Sequence, residues 1–200
     1  MTTPDANDFN LYLARECFDS GMCAEIIADL AQAPDEKAPI YGISGEAGSV
    51  DERVRKVARL IPSEMTVNRV KEKLLAIRDQ VSAHFEINLT GSEDPQFLRY
   101  REGDFFVAHQ DGNTGMLRTE REQWRKVSII VFLNQQSTPS MTAAYGGGSL
   151  VFSEWRPGRR RGHYELPGEA GLLVAFPSET THEIKPVEWG ERYSIVSWFG

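Results

Sequence analysis

Four histidines occur in the 200 residues, and one of them, His109, stands two positions before Asp111. In a strand, residues two apart share a face and lie roughly 6.5–7 Å apart along the backbone. An imidazole nitrogen and a carboxylate oxygen there can converge on one cation. By the same parity Phe105 and Val107 share that face and would wall the site. Taken alone, the pair better suits a strand end that carries a surface His and Asp. A third donor, His182, opens a β-like stretch after Pro177-Ser178-Glu179-Thr180-Thr181. Two neutral imidazoles with one carboxylate form a facial set that leaves coordination positions open, the arrangement that suits oxygen activation at non-haem iron(II). Zinc hydrolysis uses the same donor types, so the three residues by themselves leave the metal open.

Arg192 bears on that choice. It follows the Glu188-Trp189-Gly190 turn and starts the last strand, where alternation places Arg192, Ser194, Val196 and Trp198 on one face. A guanidinium and a hydroxyl pointing together into an apolar interior form a fork for a carboxylate. Burying the guanidinium without an anion is costly, so an inward Arg192 implies a bound acid. An outward Arg192 on an edge strand would imply nothing, and spacing does not separate the two.

The elements that must position these residues fall into two parts. Up to about residue 95 the pattern is helical. Ala14–Leu30 sets Cys17, Cys23, Ile26, Ile27 and Leu30 at near-helical spacing, and Met65–Phe85 repeats Val70, Leu74, Ile77, Val81 and Phe85 at steps of three or four. Pro62-Ser63-Glu64 is a helix entry. Gly42–Gly48 reads as a plain glycine-bearing loop, since no strand-turn-helix context surrounds it. From residue 96 onward short strands alternate with turns: Phe97–Arg101 and Phe105–Asp111 around a tight turn, then Val127–Leu133, Ser149–Ser153, Gly171–Phe176, His182–Val187 and Arg192–Phe199. This predicts a mainly β (α+β) fold, with residues 1–95 forming helical support packed on a catalytic core at 96–200, all in one structural domain.

Composition bounds the rest. Apolar residues are 40% of the chain and charged ones 26%, which is globular and excludes a disordered or fibrous chain. A formal charge of −7 argues against binding nucleic acid through its phosphates. The longest apolar runs fall far short of the roughly 18 residues of a membrane span. The acidic start shows no secretory signal, and two cysteines are too few for a disulfide scaffold, which together point to a cytoplasmic protein. No feature sets an oligomeric state.

Beyond these readings, the stretch Phe97–Gly200 resembles the catalytic core of prolyl 4-hydroxylase-like 2-oxoglutarate/Fe(II) dioxygenases. The resemblance is carried by His109-Gln-Asp111, Tyr145-Gly-Gly-Gly-Ser-Leu-Val-Phe152, Pro167-Gly-Glu-Ala-Gly-Leu-Leu-Val-Ala-Phe-Pro177 and the long block from His182 through Arg192 to Trp198. It implies a double-stranded β-helix, the jelly-roll or cupin-like core, with Fe(II), 2-oxoglutarate and O2 as cofactor and co-substrates and ascorbate as a candidate reductant. His109, Asp111 and His182 would hold iron. Arg192 would pair with the far carboxylate of 2-oxoglutarate, with Ser194 as second donor and Tyr100 as a further hydrogen-bonding partner. Phe132 falls where some relatives carry a tyrosine that helps to hold that carboxylate, so that bond would be absent here.

Two departures narrow the implied chemistry. Halogenating relatives replace the aspartate ligand with a small residue, and Asp111 is retained. Relatives that demethylate nucleic acid carry a second arginine six residues after the first, where Trp198 stands here. The resemblance thus implies hydroxylation of an aliphatic C–H with release of succinate and CO2, on a prolyl residue of a protein or peptide. A free amino acid or small metabolite is the alternative substrate. A non-catalytic sensor of metal and 2-oxoglutarate, or a zinc hydrolase, is the alternative from another class. Substrate-pocket candidates are Trp198, Trp124, Arg118 and Arg121. The last three lie in the stretch Gly112–Lys126, which is placed to act as a lid. The basic run Arg156–Arg161 reads as a solvated turn, and His163 as part of a hairpin tip.

Overall fold

The computed structural model describes residues 9–37, 52–112, 120–138, 141–154 and 162–200. The Gly42–Gly48 loop, Arg118 and the run Arg156–Arg161 lie outside the described residues, as does the side chain of Arg121. In chain order the elements are β1 (Tyr12–Ala14), α1 (Ser20–Leu30), β2 (Asp35–Lys37), β3 (Arg55–Lys56), β4 (Ala58–Leu60), α2 (Glu64–Phe85), β5 (Gln96–Tyr100), β6 (Phe105–His109) and α3 (Glu120–Trp124). They continue as β7 (Val127–Phe132), β8 (Tyr145–Gly147), β9 (Leu150–Glu154), β10 (Gly162–Leu166), β11 (Leu173–Pro177), β12 (Thr181–Ile184), β13 (Val187–Gly190) and β14 (Arg192–Phe199).

Two antiparallel sheets face each other. The larger runs β1-β11-β7-β14-β5-β4-β2, the smaller β10-β9-β12-β6-β3, and β13 pairs with β8 beside them. Because strand side chains alternate, β7 sends Val127, Ile129 and Val131 outward and Ile130 and Phe132 inward. The two sets belong to different cores. The outward set packs with Val70, Leu74, Ile77 and Val81 of α2 and Met22, Cys23, Ile26 and Leu30 of α1. The inward set packs with Phe152, Leu150 and Ile184 of the smaller sheet. Buried on both faces, β7 reads as an unbroken apolar run rather than an alternating one. The mainly β, helix-backed arrangement matches the expectation from sequence.

Ser63 caps α2, its hydroxyl accepting from the Thr66 amide, and Asp29 of α1 accepts from both the Ser63 amide and hydroxyl, which ties the two helices together. The other helix is shorter than its periodicity suggests. Asp19 caps α1 by accepting from the Met22 amide at 2.8 Å, so the helix starts at Ser20 rather than Ala14. Tyr12–Ala14 instead adds an edge strand to β11, and Cys17 lies before the helix that holds Cys23.

Two connections also differ from expectation. The turn Glu102-Gly103-Asp104 does not close a hairpin: β5 belongs to the larger sheet and β6 to the smaller, so the turn carries the chain across the fold. Its tightness comes from Asp104, whose carboxylate accepts from the Arg101 amide at 2.9 Å, and from the left-handed Gly103. Glu188-Trp189-Gly190 is not a turn but most of strand β13. Its Trp189 indole lies so close over Gly146 that any side chain there would collide with it.

Candidate metal centre

His109 ends β6 and His182 lies in β12, and the two are directly paired across neighbouring strands of the smaller sheet. Asp111 follows just beyond β6, its amide donating to the Ser178 carbonyl at 2.9 Å. One ligating atom from each of His109, Asp111 and His182 lies within 4.8 Å of the others, the spacing of a single cation site. Each imidazole donates Nδ1–H to a backbone carbonyl, His109 to Val107 at 2.8 Å and His182 to Thr180 at 3.0 Å. A carbonyl can only accept, so Nδ1 carries a proton, and in the neutral imidazole the lone pair is then on Nε2. Each Nε2 faces a different oxygen of Asp111 at 3.6 Å.

The electrostatics favour the ligating protonation states. Burial pushes the His182 imidazole down to about 4, aided by His109, against the opposing pull of Asp111 and the Thr180 carbonyl, so it is neutral at pH 7. For Asp111 burial works toward a higher pKa, but the neighbouring His182 and His109 and the Ser128 hydroxyl outweigh it and hold the carboxyl well below its usual range. Ser128, from the inner face of β7, donates to Asp111 Oδ2 at 2.7 Å. Arg125 forms a bidentate pair with Glu93 at 2.6 and 2.9 Å, lies 3.6 Å over the Trp198 ring and donates to the Asp111 carbonyl. Sequence pattern marked neither Ser128 nor Arg125 as a partner of Asp111, because both act through contacts made only on folding.

The wall beside His109 differs from the parity argument. His182 pairs with His109 but Ile184 pairs with Phe106, so β6 spends one more residue than β12 over that span. This bulge reverses the alternation. Phe106, not Phe105 or Val107, faces inward and stacks on the His109 ring at 3.5 Å between centroids, while Val107 is exposed.

Across the interior stands Arg192. Its strand, β14, is not an edge but sits between β7 and β5, and the side chain is 1% exposed. Its guanidinium lies 5.1 Å from the ring centroids of both Tyr100 and Phe132 and donates to Ser194 Oγ at 2.9 Å. Nε and Nη2 reach no acceptor in good hydrogen-bond geometry, and the buried Tyr145 hydroxyl stands beside the guanidinium, whose charge and hydrogen bonding oppose the rise that burial gives its pKa. Gly148 leaves the room: a Cβ there would press on Arg192 Cδ and Tyr145 Cε2, both at 3.2 Å. Buried donors without an acceptor are costly, and a carboxylate is the acceptor this fork fits.

One cavity of about 310 Å3 joins the two halves. It is bordered by His109, Asp111 and His182 on one side and by Tyr100, Arg192 and Ser194 on the other, with Trp198 also in its wall. The structure thus gathers all six residues singled out for metal and co-substrate. Burial raises the Tyr100 hydroxyl pKa, with Arg55 and Arg192 countering, so it is a neutral donor. Trp124 lies elsewhere, half-buried, and a Cβ on Gly91 would touch its indole at 3.4 Å. It anchors its short helix to the chain end and is not part of the cavity wall.

Comparisons with known proteins agree with this geometry. Residues 95–200 match the model of the 2OG-Fe(II) oxygenase superfamily. A PKHD-type hydroxylase of Shewanella oneidensis is 34% identical over 52% of this chain and 41% of its own length. One from Shewanella sp. strain ANA-3 is 29% identical over 87% of this chain and 72% of its own. The match to the first of these relatives thus spans less than half of that protein. Among solved structures, a Pseudomonas putida prolyl-4-hydroxylase superposes with a TM-score of 0.67 at 21% identity, over 98% of this chain and 94% of that one. A Trichoplax adhaerens prolyl hydroxylase, solved with a peptide fragment of hypoxia inducible factor, gives 0.69 at 16% identity over 96% and 84%. These likenesses establish the jelly-roll fold with its helical backing. The matched span holds the His109–Asp111–His182 cluster and Arg192, and the chain belongs to the 2OG-Fe(II) oxygenase superfamily.

Proposed function

We propose that the protein is a 2-oxoglutarate- and Fe(II)-dependent hydroxylase in which His109, Asp111 and His182 hold the iron and Arg192 holds the far carboxylate of 2-oxoglutarate. One observation carries the reading: a fully buried guanidinium with two unpartnered nitrogens opens onto the same cavity as a preformed His–Asp–His cluster. A zinc hydrolase has no use for such a fork, whereas an oxygenase needs it for a dicarboxylate co-substrate.

Iron with 2-oxoglutarate and O2 would supply the C–H oxidation and release succinate and CO2; the protein's part is to bind, orient and keep the site dry. The two Nδ1–H bonds fix the imidazole tautomers and aim both Nε2 lone pairs inward. Ser128 fixes the rotation of the Asp111 carboxylate. Arg192 and Ser194 would clamp the co-substrate, with the Tyr100 hydroxyl as a further donor at the cavity wall. Phe132 offers no hydroxyl at this point, but the buried Tyr145 hydroxyl beside Arg192 would be a further donor to the far carboxylate. No residue is required as a general base.

The substrate reading is a prolyl residue in a protein or peptide, supported by structural neighbours that are prolyl hydroxylases, one of them bound to a peptide fragment. The test is succinate formation from 2-oxoglutarate with Fe(II) and O2, run alone, with free amino acids and with proline-containing peptides, with and without ascorbate. Oxygen-dependent succinate stimulated by the peptides is the expected result. Stimulation by free amino acids alone would move the substrate to a small metabolite. Iron bound with no succinate in any arm would leave a non-catalytic sensor.

A further inference from the structure

The two sheets part at one edge, where β3 ends the smaller sheet and β4 lies next to last in the larger. The chain passes directly from one to the other through the buried Val57. Register then dictates where the flanking arginines point. Arg55 pairs with Phe106, whose ring faces the cavity, and Arg59 pairs with Leu98, which in turn pairs with Ser194. Residues in such a cross-strand row share a face. Arg55 and Arg59 therefore both turn inward, one from each sheet, and both border the cavity.

Their partners differ. The Arg55 guanidinium lies 4.8 Å over the Phe106 ring. Among the other charged groups of the wall, Arg125 is paired with Glu93, Asp94 with Lys71 at 2.7 Å, and Asp111 with the histidine cluster. Arg192 donates to Ser194 and awaits the co-substrate. Arg59 forms no hydrogen bond or ion pair among the described residues. With the Arg125–Glu93 and Asp94–Lys71 pairs set aside, Arg59 and Arg192 stand against Asp111 in the wall, while the whole chain carries −7. Fe(II) and dianionic 2-oxoglutarate cancel in charge, so the loaded cavity keeps its positive excess. A positive cleft in an acidic molecule concentrates small anions there.

We infer that Arg59 is the anchor for a carboxylate carried by the substrate, either an acidic side chain or a free α-carboxylate. The inference deepens the oxygenase reading and rests on it. The fork geometry of arginine selects a planar carboxylate over a single-point anion. Arg59 lies on the row of Ser194 but two strands away, about 10 Å between backbones at strand spacing, so it enters the cavity from a different strand than the Arg192–Ser194 pair. This placement leaves one arginine for the substrate and one for the co-substrate.

The test uses the full chain loaded with Zn(II), which is diamagnetic and does not turn over, and follows the arginine side-chain N–H resonances. Those of Arg59 and Arg192 are identified by their loss in Arg59→Gln and Arg192→Gln. 2-Oxoglutarate is added to saturation, followed by N-acetylproline or N-acetylprolinamide, a pair that differs in the carboxylate. Arg192 is expected to shift with 2-oxoglutarate, and Arg59 only with the acid. In Arg59→Gln the acid should bind about tenfold more weakly while the amide is unchanged, the scale of one lost charge-assisted pair. An Arg59 resonance that ignores the acid, or answers acid and amide alike, overturns the inference and leaves the oxygenase reading standing. A shift of Arg59 on 2-oxoglutarate alone, with no further response to the acid, assigns it to the co-substrate and also overturns it. An Arg192 that does not respond to 2-oxoglutarate overturns the oxygenase reading, and the inference falls with it.

Discussion

Asp111 is oriented in its buried position by the Ser128 hydroxyl, which donates to Oδ2, and each of its oxygens faces one imidazole Nε2 at 3.6 Å. Without a cation this is a preorganised acceptor site, and Ser128 is the one neutral hydrogen-bond donor that orients it from β7. Ser128→Ala is therefore expected to weaken Mn(II) binding by about 10–100-fold, the usual effect of removing a group that orients a ligand. The measurement is a metal titration of the otherwise folded variant, and an affinity within twofold of the parent would remove Ser128 from the centre. Arg192 is proposed to hold the other ligand, 2-oxoglutarate. Arg192→Ala should raise the 2-oxoglutarate Kd by at least about 100-fold, since it deletes a buried charge-assisted pair, and should leave Mn(II) affinity nearly unchanged. A variant that lost metal but kept 2-oxoglutarate would exchange the roles assigned here.

Each of these side chains is aimed by an element, and the elements differ in how plainly the sequence announced them. Helix α2 was fully legible, because Val70, Leu74, Ile77 and Val81 repeat at helical spacing and Ser63 stands at the cap position. Leu74 is 1% exposed between α2 and the outer face of the larger sheet. Leu74→Ala should cost about 2–5 kcal/mol of stability, read as a lower denaturant midpoint. Mn(II) affinity should be unchanged wherever the variant remains folded, because the helix touches the sheet's outer face and the metal centre lies on its inner side. Strand β14 was legible as well, its alternation placing Arg192, Ser194, Val196 and Trp198 along the cavity. What could not be read was the bulge in β6. Period-2 reasoning assumes an unbroken ladder, and the extra residue that turns Phe106 inward exists only in the pairing with β12. Strand β13 was missed for a related reason: Trp189-Gly190 has turn composition, and only the partner strand β8, with Gly146 beneath the indole, makes it a strand.

At the scale of the whole molecule, the division at residue 95 marks a change of pattern and not a seam. Residues 95–200 carry the family match and all six proposed binding residues, so they invite treatment as a separable catalytic unit. The topology argues otherwise. β1, β2, β3 and β4 all come from before residue 95, and they extend both sheets. Phe9, Leu11 and Val57 fill the inner core, while Phe18, Met22, Val70, Leu74 and Val81 cover Phe97, Ile129, Val131 and Ile195 on the outer face. A fragment of residues 95–200 would expose that outer face to water and open the cavity edge that β3 and β4 close. At about 25 cal/mol for each Å2 of apolar surface, uncovering several large side chains outweighs the 5–15 kcal/mol by which a domain is typically stable. The fragment should therefore show no cooperative thermal transition, bind a hydrophobic dye strongly and fail to take up Mn(II), whereas the full chain unfolds in one transition. A fragment that melts cooperatively and binds the metal would make residues 1–95 an accessory, and would require the cavity edge at Arg55 and Arg59 to be dispensable for holding the centre together.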